Sequence, residues 1–165
     1  MAIGSGGRRS VSDVYPDRGS YHALLTALIA RLRVEAPRWF AGTARSSDGG
    51  IDVYVTMAHP SVHAIVEELQ TAVGGTVRVH VISGQKHTLA TLEHLRDELL
   101  AQHRMLAARG INLVEFGVNE QSNKVRIGVK RLDVSTIAYL NAHFGEDRID
   151  VFEGGEWYPT LSEPT

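Results

Sequence analysis

What most constrains this chain is internal repetition: an order of amphipathic segments met between residues 20 and 86 is met again between residues 87 and 155. In the first stretch Tyr21, Leu24, Leu25, Leu28, Ile29 and Leu32 recur at helical spacing, which predicts a helix beginning near Ser20 and stopped by Pro37. Ile51, Val53, Val55 and Met57 then alternate with Asp52, Tyr54 and Thr56, the pattern of a half-buried strand. Asp48-Gly49-Gly50 supplies its turn, and residues 38–45 supply the other arm of the hairpin. Pro60 suits the first position of a helix carrying Val62, Ile65, Val66, Leu69 and Val73, which Gly74-Gly75 ends. Val77, Val79 and Val81 make a further strand.

The second stretch repeats each step. Leu92, Leu95, Leu99 and Leu106 line a helix from Thr88 to Gly110. Residues 111–118 and 124–129 form a hairpin whose connection, Asn119 to Asn123, consists of residues that satisfy turn groups locally. Asp133 caps a helix with Val134, Ile137, Leu140 and Phe144, and Ile149 and Val151 belong to the last strand. Matching the strands pairs Val53 and Val55 with Val125 and Ile127, 72 residues on, and Val79 and Val81 with Ile149 and Val151, 70 residues on. The expectation is an α+β fold built as a tandem duplication of an α-β-β-α-β unit, with two small three-stranded sheets each packed on helices. The divisions are a flexible leader (1–19), a first subdomain (20–86), a second (87–155) and a C-terminal tail (156–165). Units of this size barely offset their chain entropy alone, so docking of one on the other contributes to stability.

Composition narrows the function. The 165 residues are 43% hydrophobic and 22% charged, as expected of a globular domain. Seventeen Lys and Arg against nineteen Asp and Glu leave a net charge of −2, which gives no overall field for nucleic acid or anionic lipid. No run reaches the ~20 apolar residues of a membrane span. With no cysteine, disulfides, thiol nucleophiles and cysteine-containing zinc motifs are excluded. The Gly-, Ser- and Arg-rich start has no secretory apolar core, which points to the cytoplasm, although export needs no disulfide.

Enzymatic patterns are incomplete. His59 and His63 stand four apart at a helix start, the best pair for a metal-dependent enzyme or small hydrolase, but two ligands are too few and His59 beside Pro60 reads as a helix-start residue. His80 points to the wetter face of its strand, and His87, His94, His103 and His143 fall near helix ends or on polar faces. No Gly-x-Ser-x-Gly elbow or phosphate-binding loop is complete, so neither catalytic residues nor a cofactor or metal site is assigned. The pairs Glu67/Glu68 and Glu153/Glu156 read as helix surface and terminal loop. Lys124, Arg126, Lys130 and Arg131 gather positive charge at the second hairpin, a patch for an acidic protein surface or a nucleic-acid backbone, but without interleaved aromatics it reads as a solvated face. In the tail, Trp157 and Tyr158 are amphipathic anchors of the interface type and Pro159 restricts the chain beside Thr160 and Leu161; these residues meet either a partner or the domain's own apolar surface.

Phe40-Ala41-Gly42, the segment Val77-Arg78-Val79 followed by Thr88-Leu89-Ala90-Thr91-Leu92, and Gly117-Val118-Asn119 with Ser122 to Ile127 occur in an order that resembles the pro-regions of bacterial secreted chymotrypsin-like proteases, the α-lytic protease and streptogrisin group. The resemblance covers residues 40–153. It departs at Asn119-Glu120, where the family tends toward Asp-Pro, and no protease follows Thr165. It implies a two-subdomain α+β protein that binds a chymotrypsin-like serine protease in trans, as folding aid or inhibitor, with no enzymatic activity of its own. By that likeness the strand-accepting sheet is residues 111–118, 124–129 and 148–152. Its implied partner contacts are Val118, Asn119, Lys124 and Arg126, and the tail Trp157, Tyr158, Pro159, Thr160 and Leu161 lies in the cleft of the protease. An open sheet edge also allows two copies of the chain to pair with each other.

Overall fold

A computed structural model describes residues 18–155. The elements run α1 (Arg18–Glu35), β1 (Phe40–Arg45), β2 (Ile51–Val55), α2 (Pro60–Ala72), β3 (Val79–Ser83), α3 (Leu89–Ala108), β4 (Leu113–Asn119), β5 (Lys124–Val129), α4 (Val134–Phe144) and β6 (Ile149–Glu153). Two separate three-stranded sheets result, ordered β1-β2-β3 and β4-β5-β6. In each, the hairpin pair is antiparallel and the third strand joins the middle one in parallel after a helical crossover. The α+β fold with two copies of an α-β-β-α-β unit is therefore present.

Local chemistry explains most of the boundaries. Leu24, Leu28 and Leu32 bury one stripe of α1. That helix already contains Arg18, so Ser20 lies inside it rather than at its start, and the division expected after residue 19 falls within α1. At α2, Pro60 occupies the first turn and the His59 ring accepts the Ser61 N–H. Thr88 caps α3 through the Thr91 N–H, and Asp133 caps α4 through the Thr136 N–H at 2.8 Å. Gly110 and Gly145 end α3 and α4 with φ of 83° and 91°.

Three expectations change. Strand β2 stops at Val55; the Thr56 N–H still reaches the Trp39 carbonyl across the hairpin, but Met57 is 55% exposed. Tyr54, expected on a wet face, is buried. Val134, at the first turn of α4, is 83% exposed, and the buried face of that helix is Thr136, Leu140 and Phe144.

The register of the duplication also differs from the pattern match. The Ile51 N–H bonds the Arg78 carbonyl, and the Val125 N–H bonds the Arg148 carbonyl, so Ile51 corresponds to Val125, 74 residues on. Val53 therefore corresponds to Ile127, not Val125. A slip of two residues keeps every side chain on its own face, which is why hydrophobic alternation alone does not detect it. The hairpins share a further detail, a bulge between Phe40 and Gly42 in one and between Leu113 and Glu115 in the other.

Each half has its own core. Leu24, Leu28, Leu32, Ile51, Val53, Val55, Val62 and Ile65 fill the first; Leu92, Leu95, Leu99, Val125, Ile127, Leu140 and Phe144 fill the second. Truncating one of these leucines to alanine costs about 2–5 kcal/mol. The cores are not independent: Leu89, the first residue of α3, belongs to the first, and Val118 of β4 packs against both.

Candidate functional site

Two places concentrate polar chemistry: the joint between the halves and the outer borders of the sheets. At the joint, the turn between β4 and β5 reaches into the first half. The Glu120 carboxylate accepts the Thr43 N–H of β1. It lies over Gly42, whose φ of 131° and missing Cβ make room for it, since any Cβ there overlaps the carboxylate. Burial pushes the Glu120 carboxyl above its ordinary pKa, opposed by the Thr43 hydrogen bond and by Arg33. Arg33 of α1 meets Glu93 of α3 in a bidentate pair at 3.0 and 2.7 Å. Asn123, 5% exposed with φ 56°, accepts the His87 N–H and donates to the His87 carbonyl, both at 2.8 Å. The His87 ring lies 3.2 Å from Asp147.

The borders follow from the ladders. Since Arg78 faces β2 through its carbonyl, alternation along a parallel strand turns the main-chain groups of Val79, Val81 and Ser83 away from β2. By the same reasoning, Ile149, Val151 and Glu153 of β6 turn theirs away from β5. Neither β3 nor β6 has a strand on that side among the described residues. Along β3 runs an open groove of about 620 Å3 between the strand and α2, with Val66, Val79 and Val81 as its apolar part and His63, Glu67 and Gln70 beside them. The border of β1 differs, because Glu120 already takes the Thr43 N–H; a cleft of about 480 Å3 separates Thr43 and Ala44 from β4.

The residues expected to contact a partner are scattered in role. Val118 is core, and the Asn119 side chain accepts the Ser122 N–H within its own turn. Lys124 Nζ donates to the Glu146 carbonyl at 3.0 Å. Arg126 lies 3.6 Å from Asp150 and its guanidinium sits 4.3 Å from the centre of the Phe152 ring. These two cations thus face the second sheet's parallel strand and the turn before it, and both already have partners. Trp157, Tyr158, Pro159, Thr160 and Leu161 lie outside the described residues. Turn chemistry was expected to be local throughout 119–123; it is local at Asn119, whereas Glu120 and Asn123 bond the other half or its connection.

His59 and His80 have structural partners. His59 stacks on Trp39 with ring centres 3.7 Å apart, and its Nδ1 lies 2.6 Å from the Ser61 hydroxyl. His63 is exposed one turn along α2. His80 is exposed as expected and meets Asp48 at 3.0 Å. The Gly50 N–H, then His80, then Ser46 hold the Asp48 carboxyl down to about 2. Ser46 and His80 both bond the carboxylate rather than each other, so this trio does not present a hydroxyl to an imidazole base. Among the described residues no three His, Asp or Glu side chains stand together as metal ligands.

Fold and borders together define a two-unit α+β protein in which, among the described residues, no further strand pairs with the third strand of either sheet. Compared with known protein families and with curated proteins, the chain matches none of them. The sequence reading missed the joint and the groove at β3. The one available signal for the joint was Asn123 itself, which stands where the first hairpin has Gly49 at φ 85° and so had to supply a side chain in a glycine-like position.

Proposed function

We propose that the protein is a non-catalytic binding module that takes up an extended segment of another polypeptide along an open sheet edge. The observation that carries this reading is the outward alternation of main-chain groups on the third strand of each sheet, which meet no further strand among the described residues. An edge of this kind pairs with a guest strand through main-chain hydrogen bonds and needs no particular side chain to do so. The likeness of the strings between residues 40 and 153 to protease pro-regions supports a chymotrypsin-like serine protease as the guest, bound in trans with inhibition or assisted folding as the result. On that likeness the second sheet receives the strand and residues 156–165 enter the protease cleft.

The test is titration of the full chain against an α-lytic-type protease, with peptide hydrolysis as the readout. Inhibition is expected, weakened at least about tenfold by deleting residues 156–165. Val151→Pro removes one outward N–H of β6 and no ladder bond, and should weaken it as well. Absence of both inhibition and faster refolding of the denatured protease rejects a protease partner.

A further inference from the structure

We infer that the groove between β3 and α2 is a second strand-binding site, built for an extended peptide that places aliphatic side chains abreast of Val79 and Val81 and a lysine or arginine beside Glu67. The inference rests on the strand-addition reading above and moves it to the first sheet.

Three observations lead there. First, the two open edges are unequally protected. Strand β6 carries Asp150, paired with Arg126, and Glu153, whose carboxylate accepts the Leu132 N–H. Such charges are how natural sheets blunt an edge. Strand β3 reads Val-His-Val-Ile-Ser, with neither lysine nor proline nor bulge along it, and its Ile82 is 38% exposed.

Second, the groove has the shape that strand addition needs. Val79 and Val81 share a face with Ile51 and Val53 and are only partly buried against the first core. A guest strand beside β3 projects alternate side chains onto that same face, against Val66 and the flank of α2. Five residues of β3 offer an edge of about 17 Å, enough for five guest residues.

Third, the charge is one-sided. Glu68 pairs with Arg31 at 2.8 Å and Asp48 is met by His80 and Arg78. Glu67 lines the groove, is exposed, and its carboxylate meets no cation among the described residues. A basic guest side chain completes it. A second copy of this chain, meeting edge to edge about a two-fold axis, brings the identical acidic rim and is disfavoured for that reason.

The experiment presents the full chain to an array of acetylated hexapeptides of the pattern Thr-X-Thr-X-Thr-Z, with X as Ala, Val, Ile or Leu and Z as Lys, Arg, Gln or Glu. Binding is then followed for the best member by anisotropy and by amide chemical shifts. Val or Ile at X with Lys or Arg at Z is expected to bind best, with the largest shifts at 79–83. Glu67→Gln should weaken the basic peptides about three- to fivefold, and Glu67→Lys should reverse the preference toward Glu at Z. Val81→Pro should abolish binding while the circular dichroism spectrum is kept; because proline can disturb packing, the charge reversal at the exposed Glu67 decides independently. Failure of every member to bind overturns the inference and leaves the protease titration to judge the module reading alone. Shifts at 149–153 with sensitivity to Val151→Pro overturn the β3 assignment and keep strand addition. Self-association that Val81→Pro abolishes overturns it in favour of a second copy.

Discussion

The two hairpin turns occupy the same place in their units and use their side chains in opposite ways. In the first, Asp48 accepts the Gly50 N–H at 2.9 Å and meets His80 of the same sheet, so the turn satisfies itself. In the second, Glu120 leaves its own unit to bond Thr43, and Asn123 bonds His87 in the connection between the units. The backbone plan is shared down to the left-handed residue two places before the matched Ile51 and Val125, Gly49 in one and Asn123 in the other. One scaffold thus occurs twice, and a few turn residues serve their own unit in the first copy and reach beyond it in the second. The consequence for function is spatial: the joint occupies part of the β1 border, while β3 and β6 have no strand beyond them among the described residues.

The strongest way to break this comparison is at Gly42. Its counterpart in the second hairpin is Glu115, an exposed residue of β4. Gly42→Ala combines a φ that L side chains rarely adopt with overlap on Glu120, and should cost about 2–4 kcal/mol in urea unfolding. Glu115→Ala should stay within about 0.5 kcal/mol. Equal effects at the two sites would show that the joint carries no special burden.

A smaller effect separates the turns themselves. Asn123→Gly keeps the left-handed backbone and deletes both bonds to His87, leaving partly buried main-chain groups without them; a loss of about 1–3 kcal/mol is expected. The reciprocal Gly49→Asn keeps a backbone conformation that asparagine tolerates, but Gly49 is buried, so any loss there should come from packing the added side chain and not from the His87 bonds. Hydrogen exchange of the His87 amide should rise in the first variant alone.

The smallest effect sharpens the electrostatics. Burial raises the Glu120 carboxyl above 4.5, so its charged form is disfavoured in the folded state. The stability attached to that group is complete below pH 4.5 and declines as pH rises through the raised value. Glu120→Gln should therefore match the parent near pH 4 and exceed it near pH 7. Asp48 and Asp133 act in the reverse sense: hydrogen bonds hold both down to about 2, and their contribution, present above about 3.8, is lost on acidification in parent and variant alike. A parent whose stability rises between pH 5 and pH 7 relative to the glutamine variant would contradict the buried-carboxylate account.

Much of the fold was legible because its determinants are local. Pro60, Thr88 and Asp133 mark helix starts by chemistry that acts within one turn, and the leucines of α1 and α3 declare their buried faces by spacing alone. Errors arose where packing overrode pattern. Met57 continues the alternation of β2 but lies beyond the strand's end, and Val134 lies on the stripe of α4 at a position no element covers. The two-residue slip between the hairpins escaped because a period of two repeats itself.

By itself, then, the sequence determined the order and kind of the elements, their caps and their duplication, since periodicity and capping depend on neighbours within a few residues. Only the tertiary structure decided which strand borders meet a neighbour among the described residues, that Glu120 joins the halves, and that Asn123 holds the connection between them. Those outcomes depend on side chains meeting groups 77 and 36 residues away, and nothing in local spacing records such a distance.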